Sequence, residues 1–178
     1  MKLKKLILSG FFIALAIILP FFTGQIPQIG AMISPMHIPA LLSGFVCGWP
    51  YGAIAGFISP LLRSILTGGF PPMFPTAFAM AFELFTYAAA TAFFSKILGN
   101  GTKGIYISLV LSMIAGRIVW GIVMFALTVA GAAKFTFALF IAGAFTNAIP
   151  GIIIHIAVVP ILVILFKKAG LLNDYNNK

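Results

Sequence analysis

The sequence predicts an all-α integral membrane protein: six transmembrane helices in one bundle, with both termini cytoplasmic. Three observations carry this. First, the chain is 62% hydrophobic and only 7% charged, whereas an ordinary globular domain is about a quarter charged. So few charges cannot cover a soluble surface. Second, apolar runs of about 20 residues recur, enough at 1.5 Å rise to cross the hydrocarbon core. They are apolar on all sides and lack the period-two alternation of a β-barrel. Third, the basic residues lie at the ends of these runs. The net charge of +9 is therefore a topology signal and not a nucleic-acid patch.

The whole chain, 1–178, reads as one membrane domain. Span one covers about 6–22. Met1-Lys2-Leu3-Lys4-Lys5 before an apolar run has the form of a signal peptide, but no convincing small-residue cleavage site precedes Pro20. It reads as a retained helix. Gly10 and Ala14 share one of its faces and would let another backbone approach. The stretch from Thr23 to Met36, with Gln25 and Gln28, has glycines and prolines but no charge; it is a lid candidate.

From His37 to Leu66 a single helix would be about 45 Å long, too long for a bilayer. Gly48-Trp49-Pro50 divides it into spans of about 37–48 and 50–66. A second lid candidate, Thr67–Pro75, combines paired glycines, which supply positive φ, with three prolines, which fix the backbone, and Phe70, Met73 and Phe74. Span four covers about 76–98, span five 104–129, and span six 135–166, with Pro150 and Pro160 as expected kinks.

Charge arithmetic sets the orientation. With an inside N-terminus and six spans, Lys2, Lys4, Lys5, Lys96, Lys103, Lys167, Lys168 and Lys178 lie inside. Outside are Lys134 and, near the outer end of span three, Arg63. That asymmetry is the positive-inside pattern.

Ionisable groups inside spans cost about 2.5–3.5 kcal/mol each on insertion scales and mark function by default. Here they are Arg63, Glu83, Arg117 and His155, with His37 at a boundary. Glu83 is the one acid outside the C-terminal tail. Glu83 and Tyr87 share a helix face, as do Arg117 and Trp120. Asn147 falls about three turns into span six from the outer side. Most of these groups lie in the outer half, as a pocket opening outward under two lids requires. Arg117, Glu83, Asn147, Arg63, His37, Tyr87 and Trp120 are the candidate substrate-binding residues. An ion pair stitching helices is the bland alternative for Glu83 and one of the arginines. His155, deeper, fits packing or an interhelical hydrogen bond, and Phe70, Phe74 and Trp49 fit lipid or core contacts.

Enzyme readings find little support. There is no H-E-x-x-H, no serine with histidine and acid partners at a matching depth, and no second membrane carboxylate for acid–base work. No catalytic residue and no metal ligand set is assigned. Cys47 stands alone, so neither a disulfide nor a cysteine-cluster zinc site forms. No G-x-x-x-x-G-K-[ST] occurs, so the chain carries no ATPase motif of its own. No internal repeat suggests an inverted-repeat transporter.

The chain resembles the substrate-binding (S) components of energy-coupling factor (ECF) vitamin transporters. The carriers are its size, the Gly10/Ala14 spacing, M-H-I-P-A-L-L-S-G-F-V-C-G at 36–48, F-P-T-A-F-A-M-A-F-E-L-F-T-Y at 74–87, G-R-I-V-W-G at 116–121 and N-A-I-P-G-I-I-I-H-I-A-V-V-P at 147–160. The resemblance implies a bacterial cytoplasmic-membrane protein that binds a vitamin or precursor outside. A transmembrane coupling (T) subunit and two cytoplasmic ATPases would drive release inside; no cofactor is bound by this chain, and ATP is used by the partners. It implies docking of the coupling subunit on the Gly10/Ala14 face, where Gly10 replaces the more usual alanine. It implies gating by the loops after the first and third helices, with Gln25, Gln28, Phe70 and Phe74. Pantothenate is the favoured ligand because buried arginines suit an anion; hydroxymethylpyrimidine- and pyridoxine-type ligands are the others. A membrane scaffold subunit and a solitary ion-coupled carrier are the alternatives.

Overall fold

In the computed structural model, residues 2–23, 30 and 32–172 are described. The expectations for Gln25 and Gln28 fall outside them. Helix α1, Lys2–Ile18, tightens into a final turn at Leu19–Thr23. Then come α2, His37–Cys47; α3, Tyr51–Leu66; α4, Phe78–Leu98, entered through a wide turn at Met73–Ala77; and α5, Thr102–Val129. A short α6, Phe137–Ile141, passes through a second wide turn, Ala142–Thr146, into α7, Ile149–Lys168. No strand occurs among the described residues.

Among the described residues, four stretches are long and apolar enough to cross a membrane: Lys2–Phe22, Met73–Leu98, Thr102–Val129 and Phe137–Lys168. Helices α2 and α3 are apolar but shorter, at 11 and 16 residues. At 1.5 Å per residue they reach about 16 and 24 Å, against a hydrocarbon core of about 30 Å. The outer faces of the long helices are aliphatic. Along α5, Ile107, Ile114, Ile118, Ile122 and Phe125 all point outward, the reverse of a water-soluble helix.

The core is built around α2, where every residue except Ile38 is buried. A helix apolar all round belongs inside a bundle. It packs against α1, α3, α4 and α7. Small residues bring the backbones close. A Cβ on Gly44 would overlap Thr91 and Ala88 of α4, and one on Gly52 would run into the Ser43 backbone. Polar side chains in these seams are satisfied locally: Ser43 donates to the Ala40 carbonyl at 2.7 Å and Thr91 to that of Tyr87 at 2.9 Å.

The break after α2 falls at Gly48, whose φ of 68° favours glycine. Pro150 does not kink its helix, contrary to expectation. It sits in the first turn of α7, where the missing N–H costs nothing. The chain bends upstream instead, at Ala142–Thr146.

Candidate functional site

Glu83 lies five residues into α4 and is 1% exposed. Such a carboxylate needs partners, and three elements supply them. Tyr87, one turn further on, donates its phenol to Oε1 at 3.0 Å. Arg117 of α5 places Nη1 2.9 Å from the same oxygen. His37, the first residue of α2, brings Nε2 to 3.4 Å. Gly116 makes the α5 approach possible, since a Cβ there would overlap the Tyr87 ring and lie 3.1 Å from the Glu83 carbonyl oxygen.

A chain of aromatic contacts fixes His37. Its ring stacks on His155 of α7, with centroids 5.9 Å apart and planes at 18°, and lies 5.3 Å from the Tyr87 ring. His155 Nε2 is 3.3 Å from the Ser34 carbonyl oxygen, tying α7 to the segment before α2. Gly151 helps, because a Cβ on it would meet the Met32 and Ile33 carbonyls. Ser34 itself has a φ of 50°, rare for a residue with a Cβ. His37 is 3% exposed, its Nε2 lacks hydrogen-bond alignment on Glu83, and its Nδ1 has no partner among the described residues.

Arg63 is held separately. It is 2% exposed and donates from Nη1 to the Ile17 carbonyl at 2.8 Å, with its guanidinium 5.4 Å from the Phe21 ring centroid. The last carbonyls of a helix lack intrahelical partners and carry partial negative charge, so a cation fits there. No carboxylate lies within bonding distance of Arg63 among the described residues.

These groups line one cavity of about 550 Å³, within the range of small-molecule sites. Arg63, Glu83, Arg117, His37 and Trp120 supply its polar and aromatic wall. Gly30 and Ser34–Met36, from the segment before α2, and Phe70–Pro72, from the turn after α3, line it too. Both expected lid regions thus contribute to its walls.

Three expected residues stand elsewhere. Tyr87 lies behind the wall as a support for Glu83. Phe74 is half exposed beside Phe78, with centroids 5.7 Å apart, and does not line the cavity. Asn147 is exposed and also lies outside it. The reason is the preceding wide turn, in which the Asn147 N–H reaches five residues back to the Ala142 carbonyl at 2.8 Å. That extra residue rotates Asn147 away from the face a regular helix would present.

Several lining residues gave no sequence signal as site residues: Pro20, Thr76, Met80 and Gly143. Met80 alone was recoverable, three residues before Glu83 and so on its face. Gly143 matters because a Cβ there would press on the Trp120 ring. Gly10 and Ala14 lie on the exposed side of α1, and a Cβ on Gly10 would meet nothing within 4 Å.

Comparison with known proteins gives one match. The family model described as ECF transporter, substrate-specific component, fits residues 4–163. No curated protein and no solved structure matches significantly. A fit over nearly the whole chain settles the family and, with the apolar helices, makes this a multi-pass transport subunit rather than an enzyme. The chain belongs to the substrate-specific components of ECF transporters, the substrate-binding subunits of ECF importers.

Proposed function

We propose that this subunit captures a vitamin or vitamin precursor at the outer face of a bacterial cytoplasmic membrane for ATP-driven import. The observation that carries the reading is the cavity of about 550 Å³ whose lining includes Arg63, Glu83, Arg117 and His37. Buried charges in lipid are costly, and a guest that uses them accounts for their retention. Two guanidiniums against one carboxylate favour an anionic guest, and pantothenate is the leading candidate over hydroxymethylpyrimidine- and pyridoxine-type ligands.

The topology that goes with this has six spans and both termini inside, with α2 and α3 as short spans. The cavity then faces outward beneath the segments after α1 and α3. The exposed Gly10/Ala14 face receives the coupling subunit, and two cytoplasmic ATPases supply the energy.

The scaffold reading has one observation in its favour: the Glu83–Arg117 contact joins α4 to α5. It leaves most donors of the buried Arg63 unused, beyond its bond to the Ile17 carbonyl, and does not call for them on a cavity wall. The test is reconstitution of the chain with an ECF coupling subunit and its ATPases in liposomes. Vitamin uptake that requires ATP supports the proposal. Uptake without ATP indicates a solitary carrier, and a complex that assembles but neither binds nor moves any vitamin indicates a scaffold.

A further inference from the structure

We infer that the two arginines divide the work of recognition: Arg63 receives the anionic group of the substrate, while Arg117 is the counter-ion of Glu83 and His37 meets a neutral hydrogen-bonding group at the cavity's inner end. This rests on the capture reading above and assigns the substrate class to particular residues. Arg117 has its charge matched by the carboxylate 2.9 Å away. A second anion placed there would sit against Glu83 and be repelled. Arg63 has no such partner. Its hydrogen bond among the described residues, to the Ile17 carbonyl, leaves most of its five N–H donors for another acceptor. A buried cation on a cavity wall, with donors to spare, is a carboxylate-sized receptor.

The helix register separates the two ends. Gly56 of α3 packs against the Leu84 carbonyl, and the Phe57 ring meets Phe82 and Phe85 with centroids 5.3 and 6.3 Å away. Residue 57 is therefore level with Glu83. Arg63 stands six residues further along α3, about 9 Å along the axis. On α4, Met80 lines the cavity one turn from Glu83 toward the Arg63 end. At the inner end the ring of His37 lines the cavity, with both of its nitrogens closed off from solvent and neither hydrogen-bonded among the described residues. A guest that turns the ring toward itself meets an imidazole nitrogen able to pair with a hydroxyl or amide. The geometry therefore fits a short, extended monoanion, charged at one end and carrying hydroxyl or amide groups at the other.

The experiment is calorimetric titration of the purified full chain with matched pairs differing in charge: pantothenate and pantothenol, nicotinate and nicotinamide, 4-pyridoxate and pyridoxine. In the best-binding pair the anion should exceed its neutral partner by about 10- to 100-fold, the range for a hydrogen bond to a charged group. Arg63→Gln should bring the two members together by weakening only the anion, and His37→Ala should weaken both alike. A neutral member that binds as well as its anion overturns the inference while leaving vitamin capture standing. So does a preference that survives Arg63→Gln. No binding by any member overturns this inference, and no binding across the full panel of vitamins and precursors sinks the capture reading with it. A crystal or cryo-EM structure of the wild-type chain with the preferred anion answers without a variant: its carboxylate on Arg63 supports the assignment, and on Arg117 overturns it.

Discussion

Gly116 of α5 lies directly against the ring of Tyr87 in α4, with no room for a Cβ between them. This contact sets the distance between the two helices, and the neighbouring Arg117 consequently reaches Glu83. Gly116→Ala must push α5 outward or turn the buried Tyr87 ring, and overpacking of this kind costs about 1–3 kcal/mol. Thermal unfolding in detergent should show the loss, and ligand affinity should fall with it.

Arg117→Ala removes the charge opposite a carboxylate that is 1% exposed. Breaking one half of a buried pair costs about 3–5 kcal/mol, because the other charge is left behind. The double variant Glu83→Gln/Arg117→Ala removes both charges and should regain part of that loss. A stability double-mutant cycle reads the difference, and strict additivity would show that the two residues do not interact.

Trp120 and Asn147 should separate cleanly in a binding assay. Trp120 lines the cavity, packed edge-on against Phe135 with centroids 5.2 Å apart. Trp120→Ala removes a wall and should weaken ligand about tenfold or more, as loss of a buried aromatic contact does. Asn147 is exposed and outside the cavity. Asn147→Ala should leave affinity unchanged.

Gly10 faces outward with nothing of its own chain near a Cβ. Gly10→Leu should leave folding and ligand affinity intact. If the coupling subunit docks on this face, the added side chain blocks close approach, and co-purification with the ECF coupling and ATPase subunits should drop sharply. Undiminished co-purification would place the docking surface elsewhere.

Much of this arrangement was legible in the sequence because it depends on local spacing. The Glu83–Tyr87 pairing is a one-turn relation within a helix, and the break at Gly48-Trp49-Pro50 is backbone chemistry. The two loop segments that contribute to the cavity lining are marked by glycine, proline and the absence of charge. The features that were not legible depend on contacts between helices. Whether Arg63 or Arg117 pairs with Glu83 is decided by Gly116 fitting under Tyr87, which neither segment announces alone. The His37–His155 stack joins residues far apart in the chain. Asn147 was misplaced because a single extra residue in the Ala142–Thr146 turn changes its face, and the apolar sequence there carries no mark of that turn.

The most direct test of the central claim is equilibrium binding of radiolabelled pantothenate to the purified subunit, with unlabelled vitamins and precursors as competitors. A small-molecule site between α2, α3, α4 and α5 predicts saturable, one-to-one, submicromolar binding of pantothenate or of a competitor, weakened on Trp120→Ala and unchanged on Asn147→Ala. No saturable binding across the full panel, by protein shown to be folded, would contradict it.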